Sequence, residues 1–216
     1  MSARVSESIV LRTYALREAD LIVSFFTRDL GKLRGVARRA RKPGNRFGSG
    51  LERLSHIRMY YFHRENRDLD SLDSCELIHS RFGLAGDYEL SVGMDFVAEV
   101  ADHLLPAGEA NERYFRLLLA VTGRLAGGDG DSRRRLWEAV NYFTLWSVRL
   151  GGFLAPMELS DEEQAIAEEM LRTPLDRLTP RAWSRQTAAR LRRQLVSSIE
   201  QHIERRLITT QYLETL

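Results

Sequence analysis

Several common features are scarce or missing in this sequence. Cys75 is the single cysteine, which excludes an internal disulfide and any zinc site built from several cysteines. That usage fits a reducing compartment. No run approaches the roughly 18 uninterrupted apolar residues of a membrane helix, and the opening Met-Ser-Ala-Arg-Val-Ser-Glu carries no apolar signal core. A cytoplasmic protein without membrane contact is therefore expected. The phosphate-cradling G-x-x-x-x-G-K-[ST], a G-x-G-x-x-G before a helix and the nucleophile-elbow G-x-S-x-G are all absent. Lysine occurs only at 32 and 42 among 32 basic residues. Arginine offers a planar fork suited to phosphate and base stacking, but its enrichment runs through the whole chain, as genome composition alone would give.

The most telling scarcity is local. From Lys32 to Arg46 there is no Asp or Glu, while seven cations fall in the same span: Lys32, Arg34, Arg38, Arg39, Arg41, Lys42 and Arg46. Ordinary surfaces mix signs, so a merely solvated hairpin face is the weaker reading. Clustered cations need an anionic partner or generous solvent. Pro43, Gly44 and Asn45 break the run, so its second half is expected to be a mobile loop and not a helix. The asymmetry extends further. Residues 1–70 hold fifteen Lys/Arg against eight Asp/Glu, and residues 71–216 hold seventeen against twenty-two. A basic first third directs a polyanion, nucleic acid first, to the N-terminal part.

Residues 5–80 read as strands. Ile9–Tyr14, Asp20–Thr27, Leu33–Ala37, Ile57–Phe62 and Leu69–Ile78 are β-rich, with a hairpin turn at Asp29-Leu30-Gly31-Lys32. Five short strands leave exposed edges unless they close, which points to a small barrel. After residue 80 the apolar spacing becomes helical. One helix spans Leu90 to Leu104 before Pro106, a second Tyr114 to Leu125 before Gly127, and a third Leu136 to Leu150 before Gly151. Ser160 with Glu163 forms a capping box for a helix to about Leu171. Thr179-Pro180 opens a last helix to about Leu207, burying Leu191, Leu195, Ile199 and Ile203. Residues 127–132 are the clearest flexible loop. The expected fold class is α+β, a five-stranded barrel over 1–80 followed by an all-α domain over 81–216.

Catalytic and metal readings are weak. Asp68, Asp70 and Asp73 offer carboxylates, but such runs are usually hairpin turns, and the five histidines lack ligand spacing. Cys75 reads as a small core residue. No catalytic residue, metal or cofactor is assigned. Tyr60, Tyr61 and Phe62 are candidates for base stacking. Strand alternation sets Tyr61 on the face opposite Tyr60 and Phe62, so at least one belongs to the core. Tyr60 is the preferred stacking residue, ahead of Phe25 and Phe26.

At this point the sequence resembles the RecO family of recombination mediators in bacterial DNA repair. Ile9-Val10-Leu11-Arg12-Thr13, Glu18-Ala19-Asp20, Phe26-Thr27-Arg28 and Gly31-Lys32-Leu33 match its opening in order and spacing. Ala37-Arg38-Arg39 with Arg41-Lys42, and Arg46-Phe47 leading to Leu51, match its basic loop. Leu104-Leu105-Pro106, the run from Leu117 to Leu119, Leu150-Gly151-Gly152-Phe153, and His202, Arg205-Arg206-Leu207 and Tyr212-Leu213 extend the likeness over nearly the whole chain. The resemblance implies an N-terminal OB-fold barrel and a helical domain. It implies binding of single- and double-stranded DNA, annealing of complementary strands, and loading of RecA onto DNA coated by single-strand-binding protein. RecR and the acidic C-terminal tail of the coating protein are the implied partners, with RecA engaged indirectly. Arg113 and Arg116 beside Leu117 are tail-binding candidates by chemistry only, and a solvated face is the open alternative. Many relatives carry a four-cysteine zinc module after the position of Pro156; here Phe153 to Glu158 passes straight into a helix. Two other readings remain. One is an RNA-binding OB-fold protein; the other is a scaffold whose basic loop meets an acidic protein. A metal-dependent nuclease is a distant third.

Overall fold

In the computed structural model, residues 2–63, 68–80, 86–128, 131–181 and 185–216 are described, with 185–188 described in backbone only. The strands are β1 (Ser2–Leu16), β2 (Asp20–Thr27), β3 (Gly31–Ala37), β4 (His56–His63) and β5 (Asp70–His79). The helices are α1 (Tyr88–Leu104), α2 (Glu112–Ala126), α3 (Ser132–Leu150), α4 (Asp161–Arg172), α5 (Arg185–His202) and α6 (Thr210–Leu213). The chain forms two compact units, Met1–Gly83 with Ala101–Phe115, and Leu84–Val100 with Arg116–Leu216. The expected domain boundary at 80/81 abuts residues outside those described, as does part of the glycine-rich segment 127–132.

In the first unit the strands close in the order β1-β2-β3-β5-β4, with β3 and β5 parallel and the other pairs antiparallel. This is the five-stranded OB-fold barrel that the sequence leads one to expect, and closure removes the free edges that five short strands would otherwise expose. Val10, Val23, Phe25, Ile57, Met59, Tyr61 and Leu72 fill its interior. Phe25 meets Tyr61 edge to face at 5.8 Å, and the Tyr61 hydroxyl lies 3.0 Å from Ser6 Oγ, so its polar end stays satisfied. Tyr61 is the core member of its aromatic run, and Tyr60 points outward, half-buried. Phe26, beside Phe25 but on the outer face, is buried under Tyr114 and Phe115.

In the second unit α3 is buried along most of its length, polar Glu138, Asn141, Thr144 and Ser147 included. It packs on α4 and α5. The Ser160–Glu163 capping box forms as expected, the two residues satisfying each other's backbone amides. Trp146 Nε1 donates to the Met170 carbonyl at 2.9 Å, tying α3 to α4. The last long helix stops at His202, short of the expected Leu207; Glu204 takes φ +52°, and Ile203 is only half-buried. Its expected start, with Thr179 as cap and Pro180 in the first turn, needs correction: residues 179–181 lie outside any helix, and the helix is described from Arg185. The chain then turns into α6, where Glu99 of α1 accepts the amides of Ile208 and Thr209 at 2.9 and 2.8 Å. Nothing local in the sequence signals that cap, because Glu99 lies over a hundred residues away. Glu214 just after α6 pairs with Arg192 at 2.7 Å, and the Arg192 guanidinium lies 4.6 Å from the Trp137 ring centre.

Candidate nucleic-acid interface

The candidate interface is the segment between β3 and β4, residues 38–55. It contains turns and no helix, as Pro43, Gly44 and Asn45 dictate. The expectation of a mobile loop needs correction, because the segment is pinned at several points. Asn45 Oδ1 accepts the amides of Phe47 and Gly48 at 2.8 and 3.0 Å, while its Nδ2 donates to the Lys42 carbonyl. Phe47 and Leu51 insert into the barrel core. Leu54 N donates to Val10 O, and Val10 N to Ser55 O, fastening the far end to β1. At the near end, Arg39 N donates to Asp20 Oδ1 and Arg41 N to Ala19 O, fixing the loop to the β1–β2 turn. Pro43, Gly44 and Asn45 alone read as mobility; the apolar anchors Phe47, Leu51 and Leu54 make the segment a mounted one.

The seven cations separate by environment. Arg34, Arg38, Arg39, Arg41, Lys42 and Arg46 are exposed. Lys32 is not part of that group: it is half-buried, and Nζ donates to the Asp102 carbonyl at 2.5 Å. Burial pushes its ammonium pKa down, against the pull of the Asp102 charge. Arg46 reaches Asp73 at 2.7 Å, but its side chain is 74% exposed, and an exposed pair of this kind is worth about 0–1 kcal/mol. A phosphate can therefore compete for it. Arg38, Arg39, Arg41 and Lys42 make no side-chain ion pair among the described residues. Tyr60 stands apart: its hydroxyl donates to Glu76 at 2.8 Å, and Arg58 pairs with the same carboxylate. That hydrogen bond raises the Tyr60 pKa and lowers that of Glu76.

Sequence reasoning missed Arg12, Tyr14 and Arg53. Arg12 and Arg34 lie 5.2 and 5.8 Å from the centre of the Tyr14 ring. Arg53 is an exposed side chain whose guanidinium pKa is lowered, first by desolvation and then by the Arg12 charge beside it. The signal that could have found this group is the Arg-x-Tyr pair at positions 12 and 14, two residues apart in a strand.

The carboxylates at 68, 70 and 73 are not gathered. Asp70 is buried with His63 Nδ1 at 3.0 Å, and Asp73 holds Arg46. No group of three or more metal-ligating side chains occurs among the described residues. One cysteine cannot furnish a four-thiolate zinc site, so the module of many relatives does not fit this chain. Cys75 packs against the barrel core, and burial pushes its thiol up to about 11. Of the tail-binding candidates, Arg113 and Arg116 are exposed, whereas Leu117 is 7% exposed and belongs to the interior, correcting its assignment to a docking surface.

Another polar network lies in the first unit. Arg28 reaches Glu7 at 3.0 Å and Glu112 at 2.6 Å, and His56 Nε2 lies 2.8 Å from the second Glu7 oxygen. Burial raises the Glu7 pKa, but hydrogen bonds from Arg28 and His56 outweigh it, and the carboxyl ends below its ordinary 4.5. With the folded pKa below the unfolded one, this contribution is complete above the ordinary value and is lost as pH falls through the folded one. Thermal unfolding from pH 6 downward should therefore show stability falling once pH drops below 4.5, with a shallower fall in Glu7→Gln. Parallel curves for the two proteins would rule out Glu7 as a contributor.

The comparisons agree with this geometry. Residues 1–81 match the family described as recombination protein O N terminal. The chain is 41% identical over 245 residues to the DNA repair protein RecO of Koribacter versatilis (strain Ellin345), covering 98% of each. It is 30% identical over 245 residues to that of Symbiobacterium thermophilum, covering 97% of this chain and 96% of the relative. For Geobacter metallireducens the figures are 34% over 151 residues, 69% of this chain and 61% of the relative. A barrel of OB order bearing a mounted basic loop, a helical remainder, and near full-length identity to RecO proteins together establish that this chain belongs to the RecO family of DNA repair proteins.

Proposed function

We propose that this protein is a DNA-binding recombination mediator that works without a chemical step of its own. It binds single- and double-stranded DNA through the exposed cations Arg34, Arg38, Arg39, Arg41, Lys42 and Arg46. The observation that carries this reading is the patch of cations at 38–42, held on a rigid barrel with no described carboxylate paired to it. Neutralising the phosphates of two strands on one surface lowers their mutual repulsion and favours pairing, which is strand annealing by electrostatics alone. In this reading the protein also helps load RecA onto DNA coated by single-strand-binding protein. RecR and the acidic tail of the coating protein are its partners, and the cytoplasm is its compartment. No helix among the described residues is long and apolar enough to cross a membrane.

The test is fluorescence anisotropy of labelled single-stranded DNA over a salt series, with and without the tail peptide. Six neutralised single-strand phosphates give a log–log salt slope near −4, at about −0.7 each. Absence of binding at low salt would remove the DNA reading and favour a protein scaffold. Competition with RNA of the same sequence separates the DNA mediator from an RNA-binding OB-fold protein, because the barrel supports either ligand.

A further inference from the structure

The outer face of β1–β3 carries an aromatic ring, Tyr14, beside Arg34, one of the cations assigned to phosphate binding. Register places Arg12 opposite Ser24 and Tyr14 opposite Ile22 on the β1–β2 pair, and Arg34 opposite Ser24 and Val36 opposite Ile22 on the β2–β3 pair. Arg12, Tyr14, Ile22, Arg34 and Val36 thus share one side of the sheet. Tyr14 is 37% exposed, the only aromatic among the large exposed side chains of the described barrel strands. Two guanidiniums lie within 6 Å of its ring centre, at 5.2 and 5.8 Å. Asp102 is the carboxylate near this group: Ser24 Oγ donates to it at 2.5 Å and the Tyr14 hydroxyl reaches it at 3.5 Å. That contact holds the phenol by its tip, and the two guanidiniums lie over the ring, so the surface offered is their planes together with the part of the ring they leave exposed.

We propose that this face is a base-stacking site for single-stranded DNA, in which a nucleobase lies against the Tyr14 ring and its flanking guanidiniums of Arg12 and Arg34. It rests on the DNA-binding reading above and deepens it by naming a contact to bases where the loop supplies contacts to phosphates. Every base has a π-face, and aromatic rings and guanidinium planes both accept it without regard to sequence. The surrounding charge selects a polyanion over an apolar peptide. The site is also continuous with the basic loop. After Val36 the next outward position along the chain is Arg38, about 7 Å on for a two-residue strand step. Arg39 and Arg41 are tied by their amides to the β1–β2 turn, next to the end of the strand that carries Tyr14. A strand held on the loop by its phosphates therefore passes the β1–β2 turn on the side of the end of β1 that carries Tyr14.

The experiment compares full-length protein with Tyr14→Ala and Tyr14→Phe, using two labelled oligomers of equal length, oligo-dT and its fully abasic counterpart, over the same salt series. Tyr14→Ala is expected to lose about tenfold in affinity for oligo-dT, to leave the abasic oligomer unaffected, and to keep the wild-type salt slope. Tyr14→Phe keeps the ring and should bind like wild type, which separates stacking from the hydroxyl's contact with Asp102. Thermal unfolding of each variant identifies any loss caused by misfolding. Equal affinity of wild type and Tyr14→Ala for oligo-dT overturns the stacking site while the loop's role stands. An equal loss on both oligomers also overturns it, because the effect would then not depend on bases. Failure of wild type to bind either oligomer overturns the DNA reading itself.

Discussion

Replacing Arg39 and Arg41 together by glutamate is expected to weaken single-stranded DNA binding about 100-fold at about 0.1 M salt and to bring the log–log salt slope from near −4 to near −3. The argument starts from counterions. Each single-strand phosphate contact contributes about −0.7 to the slope, so two lost contacts remove about 25-fold at that salt concentration. The added carboxylates repel the backbone and account for the remainder. The fold should survive, because both side chains are exposed and their roles in the loop are carried by backbone amides donating to Asp20 and Ala19. Anisotropy titrations of wild type and double variant at several salt concentrations measure both quantities. An unchanged slope would remove residues 38–42 from the DNA site, even if affinity fell. Annealing of complementary strands should decline in parallel, since the mechanism proposed for it uses the same charges.

The second large effect concerns the fold that mounts this surface. Gly31→Ala is expected to destabilise the first unit by about 3 kcal/mol or more, through two separate causes. Gly31 has φ +77°, where an L side chain is strained; that cause alone costs about 1–2 kcal/mol. A Cβ there would also sit 2.2 Å from the Glu109 carbonyl oxygen and 2.5 Å from its amide nitrogen. Those are backbone atoms that cannot swing aside. Segment 107–109 is fixed to the start of β3 by the amide of Gly108 donating to the Lys32 carbonyl at 3.0 Å. The same turn is braced by Thr27, whose hydroxyl donates to Gly31 O and accepts from the amide of Leu30. Gly44→Ala is the matched control: its φ is +67°, but nothing lies within 4 Å of the added carbon. It should cost only the backbone strain, about 1–2 kcal/mol. Chemical denaturation of the two variants side by side tests this. If both lose the same amount, the Glu109 backbone adds no cost beyond the strain at positive φ.

How much of this was legible beforehand depended on the range of the physics involved. The β2 limits, Asp20 to Thr27, follow from local composition and match the strand observed. The alternation of β4 sorts Ile57, Met59 and Tyr61 inward from Arg58, Tyr60 and Phe62, as the period of two requires. β1 shows where the rule fails. Counting by twos from the buried Val10 puts Arg12 and Tyr14 inside the barrel. The register shift between Val10 and Arg12 adds a residue, reverses the phase, and turns both outward. A bulge has no strong composition signature, so nothing local in the sequence shows that Tyr14 faces outward.

The sequence by itself determined the periodic elements, the closed five-stranded class, the capping box at Ser160 and the sign of the surface at 32–46. Each of these depends on neighbours a few residues apart along the chain. Tertiary structure alone decided which cations remain on that surface and which aromatic ring is offered beside them. Lys32 is withdrawn by the Asp102 carbonyl 70 residues away, and Arg46 is shared with Asp73 27 residues away. Phe47 and Leu51 hold the loop by entering a core built from all five strands. Such contacts join positions whose separation along the chain carries no periodic signal, and only closing the barrel brings them within reach.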